Sequence, residues 1–420
     1  MREVAVLSFS FVHTADLHLD SPLKSLALRD EGLADLVGNA TRLVLTRIVD
    51  LCIDEGVQAL LVAGDLYDGA QTSMKTARFL SLELQRLTGA GIPAFIIRGN
   101  HDAQSRITRE LLLPEDVTLF SGRLNMVETR WNGHDVAIHG VSFQHPHAPD
   151  SLLGRYGAPV AGAFNIGLMH TSLGGAAGHD PYAPCSLAEL QATGFDYWAL
   201  GHIHARAEHP GPCTVVMPGI PQGRDIGEAG EKSVSLVTVD DGGAVTVQAR
   251  ALAVAQFERV QVDCTGLSDW ADLVAALRAA LGAARRQFTA EQLILRPELT
   301  GASDLAWRAR RDADLLFHEA QAAAEALGTV WIDKPGLALT RPGGFDAGGA
   351  VGELAGMIGP DTAATLMGDA QDELARLQKK LPRELRAVFG DTEADTAATL
   401  GAEMQAGALD LLARLDGGED

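Results

Sequence analysis

Short apolar runs and stretches of helical periodicity alternate along the N-terminal part of the chain. Three apolar runs of strand length are predicted to be buried strands, over residues 8–15, 58–63 and 93–97. Between them, residues 39–55 and 73–87 carry apolar side chains at helical spacing. Strands that alternate with helices in this way are typical of a parallel α/β layer.

Beyond residue 107 the apolar segments become shorter and follow one another without long helices between them. They are predicted to be strands over 117–120, 125–128, 136–139, 163–168, 195–200, 215–217, 234–239 and 245–251. The last two are expected to form a hairpin across Asp240–Gly243. The pattern therefore predicts an α/β fold class with many additional β segments.

A second unit begins near Phe257 and has the order β-α-β-α-β. Its strands are predicted over 259–262, 293–295 and 330–332, and its helices over 268–286 and 303–327, with Ser268 and Ser303 as N-caps. Gly-rich residues 343–352 are predicted to be a linker, followed by helices over 362–381 and 394–415. The predicted domains are residues 1–252, a small α/β domain over 256–340 and a helical C-terminal region over 341–420.

Composition limits the class of protein. A chain of 420 residues with 46% hydrophobic residues can bury the cores of two or three domains. Its longest apolar runs are too short to cross a bilayer, and its N-terminus lacks the features of a signal peptide. The four cysteines are scattered and do not suggest a disulfide framework. We therefore expect a soluble, cytoplasmic protein.

The formal net charge of −21 affects the choice of substrate. So acidic a chain repels a phosphate backbone unless basic residues, divalent metal or a basic partner offset its field. Much of the charge also has a simpler interpretation, which is solubility.

Polar residues of one chemical kind follow five of the predicted strands. They are Asp16-Leu17-His18, Gly64-Asp65, Gly99-Asn100-His101-Asp102, His170 and Gly201-His202-Ile203-His204. Singly, each could be a turn or capping residue, but together they occupy the strand ends at which α/β sheets bind ligands. Oxygen and nitrogen donors of this kind suit Mn²⁺, Fe²⁺ or Zn²⁺ rather than Ca²⁺. Seven candidate ligands exceed what one ion needs and suit two divalent ions that share a bridging carboxylate.

The order of these motifs resembles that of the calcineurin-like metallophosphoesterase superfamily over roughly residues 8 to 250. The longer segments 13–22, 63–68 and 201–204 are similar to its DNA repair exonuclease branch, the bacterial relatives of the nuclease subunit of the double-strand-break repair complex. Residues 182–187 and 196–200 are similar to a related bacterial group. The resemblance implies a sandwich of two β-sheets flanked by helices, with a small α/β cap domain and C-terminal helices.

The resemblance also implies roles for individual residues. Asp16, His18, Asp65 and His204 would surround the first metal and Asp65, Asn100, His170 and His202 the second, so that Asp65 bridges them. His101 would be the general acid at the leaving group, oriented by Asp102. Gln222 and Arg224 would lie on the substrate side. The implied function is a Mn²⁺-dependent phosphodiesterase that cleaves DNA as an exonuclease or endonuclease.

The implied partners are DNA, a coiled-coil ATPase bound by the C-terminal helices and a second copy of the chain in a homodimer. Leu374, Leu377 and Leu381 would form the contact face for the ATPase, although these helices could instead pack on their own domain. Two other functions stay open. The acidic charge favours a phosphatase or small-molecule phosphodiesterase, and a non-catalytic scaffold is the third class.

Overall fold

The computed structural model describes residues 8–21, 31–67, 73–104, 113–123, 125–174, 182–342, 353, 360–380 and 393–416. The chain divides into two compact units. The first contains residues 1–258 and 290–292, and the second contains residues 259–289 and 293–420. The linker predicted over 343–352 lies outside the described residues.

The first unit contains twelve strands and three α-helices among the described residues. The strands are β1 (Phe9–Thr14), β2 (Ala59–Ala63), β3 (Ala94–Ile97), β4 (Val117–Leu119), β5 (Asn125–Trp131), β6 (His134–Gly140), β7 (Phe164–His170), β8 (Tyr197–Gly201), β9 (Ala207–His209), β10 (Thr214–Met217), β11 (Ser233–Val239) and β12 (Val245–Ala251). The helices are α1 (Glu31–Glu55), α2 (Met74–Gly89) and α3 (Leu187–Gln191).

These strands form two six-stranded sheets. The first has the order β12-β11-β1-β2-β3-β4, in which β1 to β4 are parallel and the β11–β12 hairpin is antiparallel. The second has the order β5-β6-β7-β8-β10-β9, in which β6, β7, β8 and β10 are parallel. Strand β2 is buried along its whole length, as expected for an apolar strand covered on both faces.

The inward faces of the two sheets share one apolar core, and this confirms the predicted α/β sandwich. Phe11 of the first sheet packs edge-to-face on Tyr197 of the second, with ring centroids 5.2 Å apart. The alternate residues of β8 and β10, such as Trp198 and Val215, pack with Leu190 of α3 on the outer face. The two-residue period of strands explains this division into inner and outer faces.

The second unit has its own sheet and core. Its elements are β13 (Ala255–Asp263), which enters from the first unit, α4 (Trp270–Gln287), β14 (Gln292–Ala302), α5 (Ala306–Arg311), α6 (Ala313–Glu325), β15 (Val330–Ile332), β16 (Gly336–Thr340), α7 (Pro360–Lys380) and α8 (Glu393–Asp416). Several details differ from the predictions. Asp269 rather than Ser268 caps α4, and Leu305 rather than Ser303 is the N-cap residue of α5. The helix predicted over 303–327 breaks at Asp312, β14 extends beyond the predicted 293–295, and β16 was not predicted.

The C-terminal helices pack within the second unit. The side chains of Leu412 and Ala413 on α8 are buried, and Arg310 on α5 donates a hydrogen bond to Asp410. Leu374 is 7% exposed and Leu377 45% exposed, so the predicted contact face is only partly accessible. The expectation that Leu374 forms part of it is corrected, because its side chain is already buried. Leu381 lies outside the described residues.

No helix in the described parts of the chain has both the length and the apolar character needed to cross a membrane.

Candidate metal centre

The predicted polar motifs meet at one edge of the sandwich. Asp16 follows β1, Asp65 follows β2 and Asn100 follows β3, whereas His170 ends β7 and His202 follows β8. Backbone hydrogen bonds join the first two loops, because the Asp16 amide donates to the Gly64 carbonyl at 3.0 Å and the His18 amide to the Asp65 carbonyl at 3.1 Å. The carboxyl ends of parallel strands from both sheets therefore build the site together.

The backbone of these loops is strained. Four candidate ligands have positive φ angles: Asp16 (53°), His18 (41°), Asp65 (53°) and His202 (105°). Such a conformation raises the free energy of any residue other than glycine, so it persists only where surrounding contacts enforce it. Strain of this kind is concentrated at functional sites, and here it directs the side chains toward one another.

Glycine allows the loops to approach closely at two positions. A Cβ atom on Gly99 would lie 2.1 Å from Asp65 Oδ1, and one on Gly201 would lie 2.1 Å from the Ala63 carbonyl oxygen. Real atoms do not approach this closely, so any side chain at either position would push the loops apart. The glycines that precede Asn100 and His202 are therefore part of the site's construction.

One group of potential ligand atoms consists of Asp16, His18 and His204, all within 4.8 Å of one another. The Nε2 atoms of His18 and His204 are 3.3 Å apart. Asp16 and His18 are almost fully buried, and His204 is partly exposed.

A second group consists of Asp16, Asp65 and His170, again within 4.8 Å. His170 Nε2 lies 3.3 Å from Asp65 Oδ2 and 3.1 Å from Asn100 Oδ1, so Asn100 joins this group. The carboxylate that the two groups share is Asp16, whereas the resemblance implied Asp65 as the bridge. The bridging role of Asp65 stays a prediction.

His202 contributes its backbone as well as its ring. Its amide donates to both carboxylate oxygens of Asp16, at 3.0 and 3.2 Å. Its ring centroid lies 5.1 Å from that of His170, next to the second group. The backbone hydrogen bonds orient the shared carboxylate.

The electrostatics of the second group favour a charged pair. Burial by itself would raise the pKa of Asp65, but the imidazoles of His170, His101 and His18 together hold it well below its usual range. Burial by itself would lower the pKa of His170, but Asp65 and Asp16 raise it to about 9. Buried carboxylates thus attract positive charge here, and a proton on His170 supplies it when no cation does.

His101 and Asp102 lie beside the two groups. The His101 ring is partly exposed, with its centroid 5.1 Å from that of His18, and its amide donates to Asp65 Oδ1 at 3.0 Å. The buried Asp102 carboxylate accepts hydrogen bonds from the amides of Gly99, Leu66 and Tyr67, each at 3.1 Å. Asp102 therefore joins the loops after β2 and β3 and fixes the backbone that carries His101.

The donor set fits divalent metal ions. Two buried carboxylates, one amide oxygen and several imidazoles converge, and this combination suits Mn²⁺, Fe²⁺ or Zn²⁺. Two imidazole Nε2 atoms that face each other at 3.3 Å either share a proton or flank a cation. These side chains are therefore close enough together to bind a metal ion in place of the protons that they would otherwise share.

Sequence reasoning missed Glu228. Its Oε1 lies 2.7 Å from His204 Nδ1, and it also binds the guanidinium of Arg224. The sequence offers one signal for Glu228, which is its position shortly after the Pro- and Gly-rich loop 218–223.

Gln222 is not a substrate-side residue in this structure. Its side chain is buried, and its amide bonds to the backbone of Gly223, Val254 and Ala255. The expectation is corrected because these hydrogen bonds use the amide to hold the loop to the start of β13.

Two family models match the chain. Residues 9–206 match the model described as calcineurin-like phosphoesterase. Residues 257–340 match the model described as the middle domain of metallophosphoesterase YhaO.

Curated relatives match over part of their length. A protein described as uncharacterized metallophosphoesterase YhaO, from Bacillus subtilis (strain 168), is 37% identical over 262 residues, which cover 61% of this chain and 63% of that protein. The DNA double-strand break repair protein Mre11 of Sulfurisphaera tokodaii is 27% identical over 206 residues, 46% of this chain and 49% of that protein. The Mre11 of Methanocaldococcus jannaschii is 26% identical over 205 residues, which cover 47% of this chain and 51% of that protein. The chain therefore spans about half the length of the two Mre11 proteins and 63% of the length of the Bacillus subtilis protein.

Proposed function

Residues 9–206 form a calcineurin-like phosphoesterase domain, and from this premise we propose that the protein is a metal-dependent phosphodiesterase that hydrolyses DNA. One observation carries the proposal. Asp16 belongs to both groups of potential ligands, and the partly exposed imidazole of His101 lies beside them. A dimetal site with an adjacent acid is what phosphoester hydrolysis needs.

We assign seven residues to hold the two ions that the calcineurin-like fold uses: Asp16, His18, Asp65, Asn100, His170, His202 and His204. When bound, divalent ions supply positive charge at the phosphoryl oxygens and lower the pKa of water. Mn²⁺ is the proposed metal, since carboxylate, amide and imidazole donors suit it, and Fe²⁺ or Zn²⁺ are the alternatives.

Side chains and backbone amides of the protein donate the proton and orient the ligands. His101 holds a proton on a ring nitrogen and gives it to the leaving oxygen, a role worth roughly 10²- to 10⁴-fold in rate. Asp102 accepts hydrogen bonds from three backbone amides and so holds the backbone that carries His101. The amides of His202 and His101 orient the carboxylates of Asp16 and Asp65.

DNA is the proposed substrate because relatives named as DNA double-strand break repair proteins match 46–47% of the chain. The net charge of −21 opposes DNA binding, so metal ions or a basic partner would have to offset it. The proposal therefore includes a coiled-coil ATPase partner at the C-terminal helices, where Leu377 is exposed, and a homodimer. A cytoplasmic location is consistent with four buried free cysteines.

A cleavage assay with Mn²⁺ on single- and double-stranded DNA tests the proposal. The wild type and the exposed-histidine control His145→Ala should cleave, and His101→Ala should lose most of the activity. If neither DNA form is cleaved with Mn²⁺, Fe²⁺ or Zn²⁺, with or without a partner, the nuclease proposal is wrong.

The acidic charge favours a second candidate, a phosphatase or small-molecule phosphodiesterase. This enzyme would turn over bis-p-nitrophenyl phosphate without acting on DNA. The same His101→Ala variant would lose that turnover, so the substrate pair distinguishes the two functions.

A further inference from the structure

We propose that Glu228 is a positioning residue, which holds the imidazole of His204 by one ring nitrogen and presents the other to the metal centre. The inference rests on the proposed function, because it takes His204 to be a metal ligand. It adds a residue that lies 24 positions beyond His204 in sequence and outside every motif that predicted the site.

The two nitrogens of the His204 ring face different groups. Nδ1 lies 2.7 Å from Glu228 Oε1, whereas Nε2 lies 3.3 Å from His18 Nε2 inside the first ligand group. A carboxylate only accepts hydrogen bonds, so Nδ1 carries the proton and the Nε2 lone pair points into the centre. A metal-binding imidazole needs this arrangement, and a carboxylate behind it also strengthens the ligand.

Glu228 is itself held in place. Its carboxylate accepts hydrogen bonds from the backbone amide of Arg224 at 2.7 Å and from the guanidinium of Arg224 at 2.6 Å. The Glu228 side chain is 12% exposed. Arg224 Nη2 lies 2.6 Å from Glu228 Oε1 and 3.3 Å from His204 Nδ1. Because the Glu228 oxygen is closer to Nδ1, at 2.7 Å, we assign the Nδ1 proton to the carboxylate, and the guanidinium donates to the same oxygen. Arg224 thus balances the charge of Glu228 and limits its movement.

The loop backbone supports the same geometry. The Ile220 amide donates to the carbonyl of His204 at 3.1 Å, and a Cβ on Gly219 would lie 2.7 Å from that carbonyl oxygen. Residues 219–228 therefore wrap around His204 and bring Glu228 to its Nδ1.

His170 in the second group is oriented differently. Its Nδ1 bonds to the backbone carbonyl of Ala63 at 2.9 Å, which a side-chain substitution does not remove. Of these two histidines, only His204 has a carboxylate side chain at its Nδ1, the ring nitrogen that faces away from the ligand group. Loss of Glu228 should therefore weaken one metal position and spare the other.

Calorimetric titration of Mn²⁺ into the metal-free protein tests this directly. The wild type should bind two ions. Glu228→Ala should weaken one of them by about 10- to 100-fold and leave the other within about twofold, the range found when the support of a ligand is removed. Glu228→Gln should weaken the same ion less, because its amide oxygen still accepts from Nδ1 but carries no charge.

Glu55→Ala is the matched control, since Glu55 also pairs with an arginine, Arg250 at 2.8 Å, and belongs to neither ligand group. It should bind both ions like the wild type. Should Glu228→Ala fail to fold, Glu228→Gln decides, because it keeps the size of the side chain. Unchanged affinities, or equal weakening of both ions, would overturn the proposal for Glu228. A wild type that binds no Mn²⁺ would overturn the proposed function as well.

Discussion

His18 and His204 lie 186 residues apart in sequence, yet their Nε2 atoms are 3.3 Å apart. His18 follows β1 of the first sheet and His204 follows β8 of the second, so this contact joins the carboxyl ends of the two sheets. Two like groups at this distance repel unless a proton or a cation lies between them. The contact therefore depends on what the site binds.

Metal should stabilise the folded protein. Each ion that binds only the folded chain adds about 2.7 kcal/mol to the free energy of unfolding when its concentration is 100 times its Kd. We expect thermal unfolding to shift upward with Mn²⁺ and to return to its starting value with a chelator. Asp16→Ala should show a much smaller shift, because Asp16 belongs to both ligand groups. An equal shift in the variant would place the Mn²⁺ elsewhere.

His101→Ala and Asp65→Ala should fail in different ways. His101→Ala should lower kcat by about 10²- to 10⁴-fold and still bind two ions, since an acid outside the ligand set acts on the leaving group alone. Asp65→Ala should lose bound metal, because a buried carboxylate of the second group is removed. Steady-state kinetics combined with metal analysis of the dialysed proteins checks both. His101→Ala with full turnover would contradict the assigned role.

Most of the candidate site could be predicted from the sequence because the candidate ligands follow strands. Apolar runs identified β1, β2, β3, β7 and β8, and parallel strands present their carboxyl ends at one edge. The positions of Asp16, Asp65 and His170 in space follow from this rule without further information. Core histidines were equally predictable, since His13 and His139 lie within apolar strands and both are buried.

Glu228 could not be found in this way. Its role arises from the path of loop 219–228, which depends on tertiary contacts rather than on periodicity. The details of the second unit were missed for similar reasons. The strand predicted to end at Leu295 continues through Pro297 to Ala302, because β14 pairs with β15 up to Leu295 and with β16 from Glu298 onward. Pro297 lies between the residues that pair with β15 and those that pair with β16.

Gly99→Ala should damage the metal centre through packing alone. The new Cβ would lie 2.1 Å from Asp65 Oδ1 and 2.8 Å from His170 Cε1, and both side chains are buried. We expect a loss of about 1–3 kcal/mol in unfolding free energy, typical of an overpacked site, together with weaker Mn²⁺ binding. Gly154→Ala is the control, because a methyl group at Gly154 would have no atom within 4 Å. Denaturant unfolding and calorimetry measure both effects, and equal behaviour of the two variants would refute the packing argument.

His13 should make stability depend on pH. Its ring is fully buried, hydrogen bonded to Tyr197 and to the Leu200 carbonyl, and burial lowers its pKa to about 3. The unfolded chain takes up a proton below its ordinary pKa of 6.5 that the folded chain does not bind. The unfolding free energy should therefore fall as the pH decreases from 6.5 toward 3, by about 1.4 kcal/mol per pH unit from this group.

His13→Gln keeps a donor and an acceptor but does not titrate. Urea unfolding between pH 8 and pH 5 should show a shallower pH dependence for this variant than for the wild type. Parallel curves for the two proteins would show that His13 is not the group responsible.

Side chains from the two sheets are proposed to bind a pair of metal ions at a shared carboxylate. Anomalous diffraction at the manganese edge, from crystals grown with Mn²⁺, tests it most directly. We predict two peaks about 3.5–4 Å apart, with Asp16 and His204 at one and Asn100 and His170 at the other. A single peak, or peaks that lie away from Asp16 and Asp65, would contradict the account.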